Sequence, residues 1–364
     1  MKVLILGAAG RAAKAVISFL PSLGHIERLY LADHNAEALC KMAVDLRHLP
    51  VSPRYLDAEN ERSLYERIAE AEVVLGCLGP FHLYESSVAR AVIAAGRDYL
   101  SLCDDPAALQ EVMSLGGEAK RKGVRVLCGC GLTPGLSNLL ACRANAALDG
   151  AEAVEIAWFL DMGSDLGPAT LEHLLRSFSG KAPAYGGGSV VKNRAASWEE
   201  TVEFPPPAGW QTVSHLGHPE PVTLPGTLMG VRDIWFKAGV GDKGKSLALH
   251  TLAWIGEGSG TELRRMVLLA AARGIARHGK RESFTSLRVA ARGSRGGIGS
   301  NKVFSVSGEY YHLSALVLAA AAGDMLEAAW APGVYTAEDI LDRRPFFTRL
   351  YRAGLRIFDG EKRP

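Results

Sequence analysis

The sequence has no charge of one sign to spare. Its 41 Lys and Arg and 39 Asp and Glu nearly cancel at a net charge of +2, which excludes a strong basic field for holding a nucleic-acid backbone or an anionic membrane. The six cysteines, Cys40, Cys77, Cys103, Cys128, Cys130 and Cys142, include no C-x-x-C pair and no Cys/His cluster at zinc spacing, so no metal is expected and reduced, mostly buried thiols are. The Cys128-Gly129-Cys130 pair falls at an expected strand end, where a redox response stays open. The N-terminus lacks the basic region, apolar run and small-residue cleavage site of a signal peptide, giving a cytoplasmic expectation. Residues 313–331 are the most apolar later stretch, but Gly323, Asp324 and Glu327 interrupt them. They suit a buried helix better than a membrane span. There is no internal repeat and no low-complexity tract. What remains is 364 residues at 48% hydrophobic and 22% charged: a globular chain too long for one ordinary core, expected to form two domains and to act on small molecules.

The hydrophobic pattern supplies the order of elements. Residues 2–6 read as a strand, 7–10 as a turn and 11–20 as a helix, with apolar Ala12, Ala15, Val16, Phe19 and Leu20. Strands at 28–32, 54–56, 73–78, 98–102 and 125–130 alternate with helices at 36–46, 85–95 and 107–122. The run Val73-Val74-Leu75 does not alternate, as expected for a strand buried on both faces. Six strands in this rhythm predict a doubly wound parallel α/β sheet. After Gly131 the texture changes to a helix at 137–147, a strand at 154–160 and a Gly- and Pro-rich stretch at 182–207. The alternating runs 287–291 and 303–307 bracket a glycine-rich turn and predict a hairpin in a mixed α/β sheet. The predicted domains are 1–135 for a dinucleotide, 136–310 for substrate and dimerisation, and 311–364 as C-terminal helices packing back on the first.

Gly7-Ala8-Ala9-Gly10-Arg11-Ala12-Ala13 follows a strand and opens a helix, the context in which backbone N–H groups and a helix N-terminus hold a pyrophosphate. Read as G-x-G-x-x-G, it has Ala9 and Ala12 in place of two glycines; read as G-x-x-G-x-x-A, it uses Gly7, Gly10 and Ala13. Asp33 ends the second strand where a carboxylate would accept from the adenosine ribose and repel a 2′-phosphate, favouring NAD. The alternative for Asp33 is a cap on the next helix. Arg11 could reach a 2′-phosphate, which keeps NADP open. His215, His218 and Glu220 form an H-x-x-H-x-E cluster, whose spacing on a strand or loop does not converge on zinc. The glycine-rich segment 293–299 reads as a hairpin tip, with a phosphate nest as the other possibility.

The glycine loop, Gly79-Pro80-Phe81, Asp98-Tyr99 with Asp104, the block from Gly131 to Asn138, and Pro332-Gly333-Val334 with Glu338 and Phe346-Phe347 together resemble saccharopine dehydrogenase-like oxidoreductases. In length the chain is most similar to the short lysine 6-dehydrogenase-like members. The resemblance implies a Rossmann domain, a mixed second domain shared in a homodimer, and hydride transfer between a nicotinamide and an amine or imine carbon of an amino acid. A synthase reducing the imine of an amine and a keto acid or semialdehyde, and a non-catalytic dinucleotide sensor, are the alternatives. By motif position Gly7, Ala9, Gly10, Arg11 and Ala12 would line the pyrophosphate, Asp33 the ribose, Asp57 and Ala58 the adenine, and Leu78, Gly79 and Pro80 the nicotinamide ribose. Phe81 would face substrate. For proton transfer the choice is Asp104, with Cys103 and Thr133 as neighbours, against the reading of Asp104-Asp105-Pro106 as a helix cap. An amino-acid carboxylate needs a cation; of Arg176, Arg194, Arg232 and Lys237, Arg232 is favoured because it lies in a mixed apolar stretch. Gly129 and Cys130 stand where lysine-dehydrogenase-like members can carry an acid, a departure that bears on lysine as substrate.

Overall fold

The computed structural model describes all residues except 25, 163–165, 257–261, 277–283, 342 and 363–364. It divides into one unit of Met1–Gly135 with Tyr311–Ala353 and another of Leu136–Tyr310 with Gly354–Pro364.

In the first unit, strands β1 (Lys2–Leu6), β2 (Arg28–Asp33), β3 (Val51–Tyr55), β4 (Val73–Gly76), β5 (Asp98–Ser101) and β6 (Arg125–Leu127) alternate with helices α1 (Arg11–Phe19), α2 (Ala36–Asp45), α3 (Glu61–Ala69), α4 (Phe81–Ala94), α5 (Pro106–Ser114) and α6 (Gly116–Lys122). All six strands are parallel, in the order β6-β5-β4-β1-β2-β3. This is the doubly wound order, in which the chain starts at the centre and winds outward both ways. β1 and β4 are covered on both faces and read as unbroken apolar runs for that reason. Pro53 is tolerated in β3 because β3 is an edge strand. A seventh strand, Gly333–Tyr335, pairs in parallel with β6, so the edge of the six-stranded set is closed by chain from the far end of the sequence. The apolar stretch of the sequence forms the helix Tyr310–Glu327, buried without a break from Ala315 to Met325, and Arg125 donates to the Met325 carbonyl at 2.7 Å. No described helix is long and apolar enough to cross a membrane.

The second unit is built on a mixed sheet. The strand Asp233–Val240 runs parallel to Gly150–Asp161, and every other pairing is antiparallel. The hairpin appears as Phe284–Arg295 and Ile298–Glu309 around a Gly296-Gly297 turn. Its strands are longer than their alternating cores because polar residues continue the pairing toward the tip. The last strand, Phe358–Lys362, pairs with Ile298–Glu309. Residues 311–353 therefore lie in the first unit and the final strand in the second, a division within the expected C-terminal segment 311–364.

Candidate active site

The parallel order places every loop that follows a strand of the first sheet at one edge, the carboxyl edge where ligands of such sheets bind. The glycine loop follows β1, Asp33 ends β2, Asp57 and Ala58 follow β3, Leu78 to Phe81 follow β4, Cys103 and Asp104 follow β5, and Thr133 follows β6. Sequence spacing brings these residues to one edge through topology, not proximity in the chain. Arg232 is in the other unit, exposed just before the strand Asp233–Val240, with its backbone N–H donating to the Glu152 carbonyl at 2.8 Å.

The glycine loop follows the G-x-x-G-x-x-A reading. Gly7 has a left-handed φ of +75°, and a Cβ there would lie 2.7 Å from the Cys77 carbonyl oxygen, so the loop crosses the end of β4 only as glycine. Gly10 is the N-cap of α1, and Ala13 is fully buried, where a larger residue would push the helix off the sheet. Ala9 is accommodated because its N–H points to Asp33: the Ala9 N–H donates to Asp33 Oδ2 at 3.0 Å. Asp33 Oδ1 accepts from the Asn35 N–H at 3.0 Å, and His34 Nδ1 lies 3.2 Å from the same oxygen. The cap of α2 is Asn35, which accepts from the Ala38 N–H. The capping alternative for Asp33 therefore falls to its neighbour. Arg11 is exposed at the start of α1. Asp57 accepts from the Glu59 N–H at 3.0 Å, shaping the turn that carries Ala58.

Past β4, Pro80 is the N-cap of α4 and Phe81 its first residue, so the helix starts one turn earlier than the sequence pattern places it. Past β5, Asp105 caps α5 by accepting from the Ala107 and Ala108 N–H groups, both at 3.0 Å. The helix-cap reading thus applies to Asp105 and leaves Asp104, partly exposed, outside the cap. Cys103 is fully buried, and burial followed by the charges of Glu85 and Asp104 pushes its thiol far above the ordinary range. Cys77, Cys128 and Cys130 are raised by burial in the same way. These thiols are protonated and therefore poor nucleophiles. Past β6, the Gly131 N–H donates to the Pro134 carbonyl at 2.8 Å, closing a tight turn around Thr133.

Sequence reasoning missed Glu85. This carboxyl is 1% exposed on α4 and accepts from Ser101 Oγ at 2.6 Å and Tyr99 Oη at 3.0 Å. Burial raises it to about 7, with the Asp104 charge adding to the rise and the two hydrogen bonds opposing it. The room for Tyr99 comes from Gly76, where any Cβ would overlap the tyrosine hydroxyl. A signal was present. Glu85 stands three, four and seven residues before Val88, Ala89 and Val92, which puts it on the buried stripe of its helix.

In the second unit the H-x-x-H-x-E residues do not converge. His215 faces the Phe236 and Ala182 carbonyls, whereas His218 pairs with Glu220, which also accepts from Ser137 Oγ at 2.6 Å. Among the described residues no group of three or more His, Cys, Asp or Glu could hold a metal ion.

Comparison with known proteins agrees with this geometry. Residues 3–127 match the family described as saccharopine dehydrogenase NADP binding domain. Over its full length the chain has the fold of saccharopine dehydrogenase (L-Glu forming) from Saccharomyces cerevisiae, with a TM-score of 0.73 at 12% identity and 100% of both chains covered. It also aligns with a probable dehydrogenase from Thermotoga maritima, with a TM-score of 0.50 at 12% identity, covering 99% of this chain and 98% of that one. A lipid droplet localized protein of Caenorhabditis elegans is 33% identical over 76 residues, which are 21% of this chain and 18% of that protein's length. Residues 3–127 are thus an NAD(P)-binding domain of the type that family model describes, and the chain as a whole shares the fold of saccharopine dehydrogenase.

Proposed function

We propose that the protein is an NAD(P)-dependent oxidoreductase acting on a carbon–nitrogen bond of an amino acid, with NAD preferred. The observation that carries the reading is the carboxyl edge itself: a glycine loop after β1, the carboxylate of Asp33 at the end of β2 and Asp104 after β5, on one doubly wound sheet whose domain family binds a dinucleotide. The residues present fit the cofactor. The N-terminus of α1 and the N–H groups of the Gly7–Ala12 loop suit a pyrophosphate. Asp33 keeps lone pairs for ribose hydroxyls after accepting from Ala9 and Asn35, because an ionised carboxylate has about four acceptor sites. The bound nicotinamide would accept or give up the hydride. Asp104 would move the proton at the substrate nitrogen, and Leu78, Gly79, Pro80 and Phe81 would border the nicotinamide and substrate. Lysine, by a lysine 6-dehydrogenase reaction, is the first substrate to try. Arg232 as carboxylate partner, a homodimer sharing the second sheet and a cytoplasmic location belong to the same proposal.

The experiment is a panel of amino acids, with lysine and saccharopine first, incubated with NAD or NADP while absorbance of the reduced nicotinamide is followed, together with imine-forming pairs run in reverse. Turnover on an amine, lost in Asp104→Ala with cofactor binding retained, is the expected result. Tight cofactor binding with no turnover across both directions would instead support a dinucleotide sensor.

A further inference from the structure

The buried carboxyl of Glu85 has no part in the reading above, yet it sits beneath the loops assigned to the nicotinamide. It lies on the second turn of α4, the helix that follows Gly79-Pro80 directly. Its two hydrogen-bond donors come from β5: Tyr99 gives Oη to Oε2, and Ser101 gives Oγ to Oε1. Ser101 Oγ in turn accepts from the Cys103 N–H at 3.3 Å, one residue before Asp104. Glu85 therefore braces the loop after β4 to the loop after β5, inside the first unit. The titratable groups that face it are Tyr99 on β5, Cys103 and Asp104 after β5, Cys77 after β4 and Cys128 after β6. All of them are acids. When Glu85 ionises, nothing in this set neutralises it.

A buried negative charge acts on any charge brought near it, because little solvent intervenes. The oxidised nicotinamide ring is a cation and the reduced ring is neutral, so the two forms of the cofactor differ at the carboxyl edge by one positive charge. We infer that Glu85 is a proton-linked residue of the dinucleotide site that sets the preference between oxidised and reduced cofactor: neutral, it leaves the reduced form favoured, and ionised, it favours the oxidised form. This rests on the reading of the edge between β4 and β5 as the nicotinamide end. The proton on Glu85 exchanges with solvent, and no other bond changes. The carboxyl gives up that proton near pH 7, so the preference turns over in the neutral range.

The test is the ratio of the dissociation constants of NADH and NAD, or of the NADP pair if it binds better, measured on the full chain by fluorescence titration and displacement from pH 5.5 to 8.5. In the unmodified protein the ratio of the NADH constant to the NAD constant is expected to rise by about tenfold across a step near pH 7. Glu85→Gln removes the step and holds the ratio at its acid-side value. Tyr99→Phe takes away a donor that stabilises the ionised carboxyl, so its step moves to higher pH; Asp104→Asn takes away a repelling charge and moves it lower. If Glu85→Gln does not fold, the opposite displacements in the other two variants decide the question. A step that persists in Glu85→Gln assigns the titration to another group and overturns the inference. So does a ratio that does not change with pH. Failure of every cofactor form to bind at any pH would sink the nicotinamide reading and this inference together, whereas binding with a flat ratio sinks this inference alone.

Discussion

At the scale of single residues, the first unit spends one buried acid near its ligand edge, and the cost has a sign. The Glu85 carboxyl holds its proton up to about 7, where an ordinary carboxyl releases it near 4.5. Between those values the folded chain binds a proton that the unfolded chain has lost, so stability falls as pH rises through the window. The loss amounts to about 3 kcal/mol once pH exceeds 7. Glu85→Gln lacks it: urea unfolding at pH 5 and pH 8 is expected to show the variant gaining on the unmodified protein by up to that amount as pH rises, and an equal pH dependence in both would contradict the assignment. In the reading proposed for the site, Asp33 would place a negative charge against a 2′-phosphate. Asp33→Ser combined with His34→Arg is expected to raise the use of NADP relative to NAD by at least about tenfold, measured as the ratio of kcat/KM or, without turnover, of Kd. An unchanged ratio would remove Asp33 from the ribose. The place of Asp33 at the end of β2 was legible in the sequence. Glu85 was passed over because an acid at the start of the helix read at 85–95 looks like a first-turn charge, although its spacing to Val88, Ala89 and Val92 sets it on the buried stripe.

At the scale of elements, the sequence pattern located the strands of the first sheet well because β1 and β4 are buried on both faces and carry unbroken apolar runs. Ends were harder to read. The single helix expected at 107–122 is two, Pro106–Ser114 and Gly116–Lys122, divided at Leu115 where Gly116-Gly117 weakens helix formation. The Asp104-Asp105-Pro106 run could not be divided between cap and function without coordinates, for both acids precede the same proline. The structure divides it: Asp105 accepts two N–H groups of α5. Asp105→Ala is expected to cost about 1 kcal/mol in chemical denaturation. Asp104→Ala is expected to leave the α5 cap in place, so that its effects appear in turnover. Equal losses of stability in the two variants would contradict this division of labour.

At the scale of the whole molecule, the first sheet is not encoded by the N-terminal third alone. The strand Gly333–Tyr335 pairs with β6, the Cys128 N–H donates to the Tyr335 carbonyl at 3.0 Å, and Val334 joins the core cluster that contains Tyr99 and Val126. A fragment of residues 1–135 therefore leaves β6 as an open edge and uncovers apolar surface, a condition that favours aggregation. That fragment is expected to aggregate on gel filtration, whereas residues 1–135 joined by a flexible linker to residues 311–353 are expected to be monodisperse and to bind the cofactor. A monodisperse, cofactor-binding 1–135 fragment would show that the returning segment is dispensable. The second unit was less legible because its central pair, Gly150–Asp161 with Asp233–Val240, joins strands far apart in the chain, and local pattern carries no register for such pairings.

The most direct test of the account is an equilibrium titration of the full-length protein with NADH and with NADPH, followed by nicotinamide fluorescence. The account predicts saturable binding of both cofactors or of NADH alone, tighter for NADH, and lost in Gly7→Ala, whose Cβ cannot fit beside the Cys77 carbonyl. Absence of binding to either cofactor, or binding that survives Gly7→Ala undiminished, would contradict the assignment of this edge to a dinucleotide.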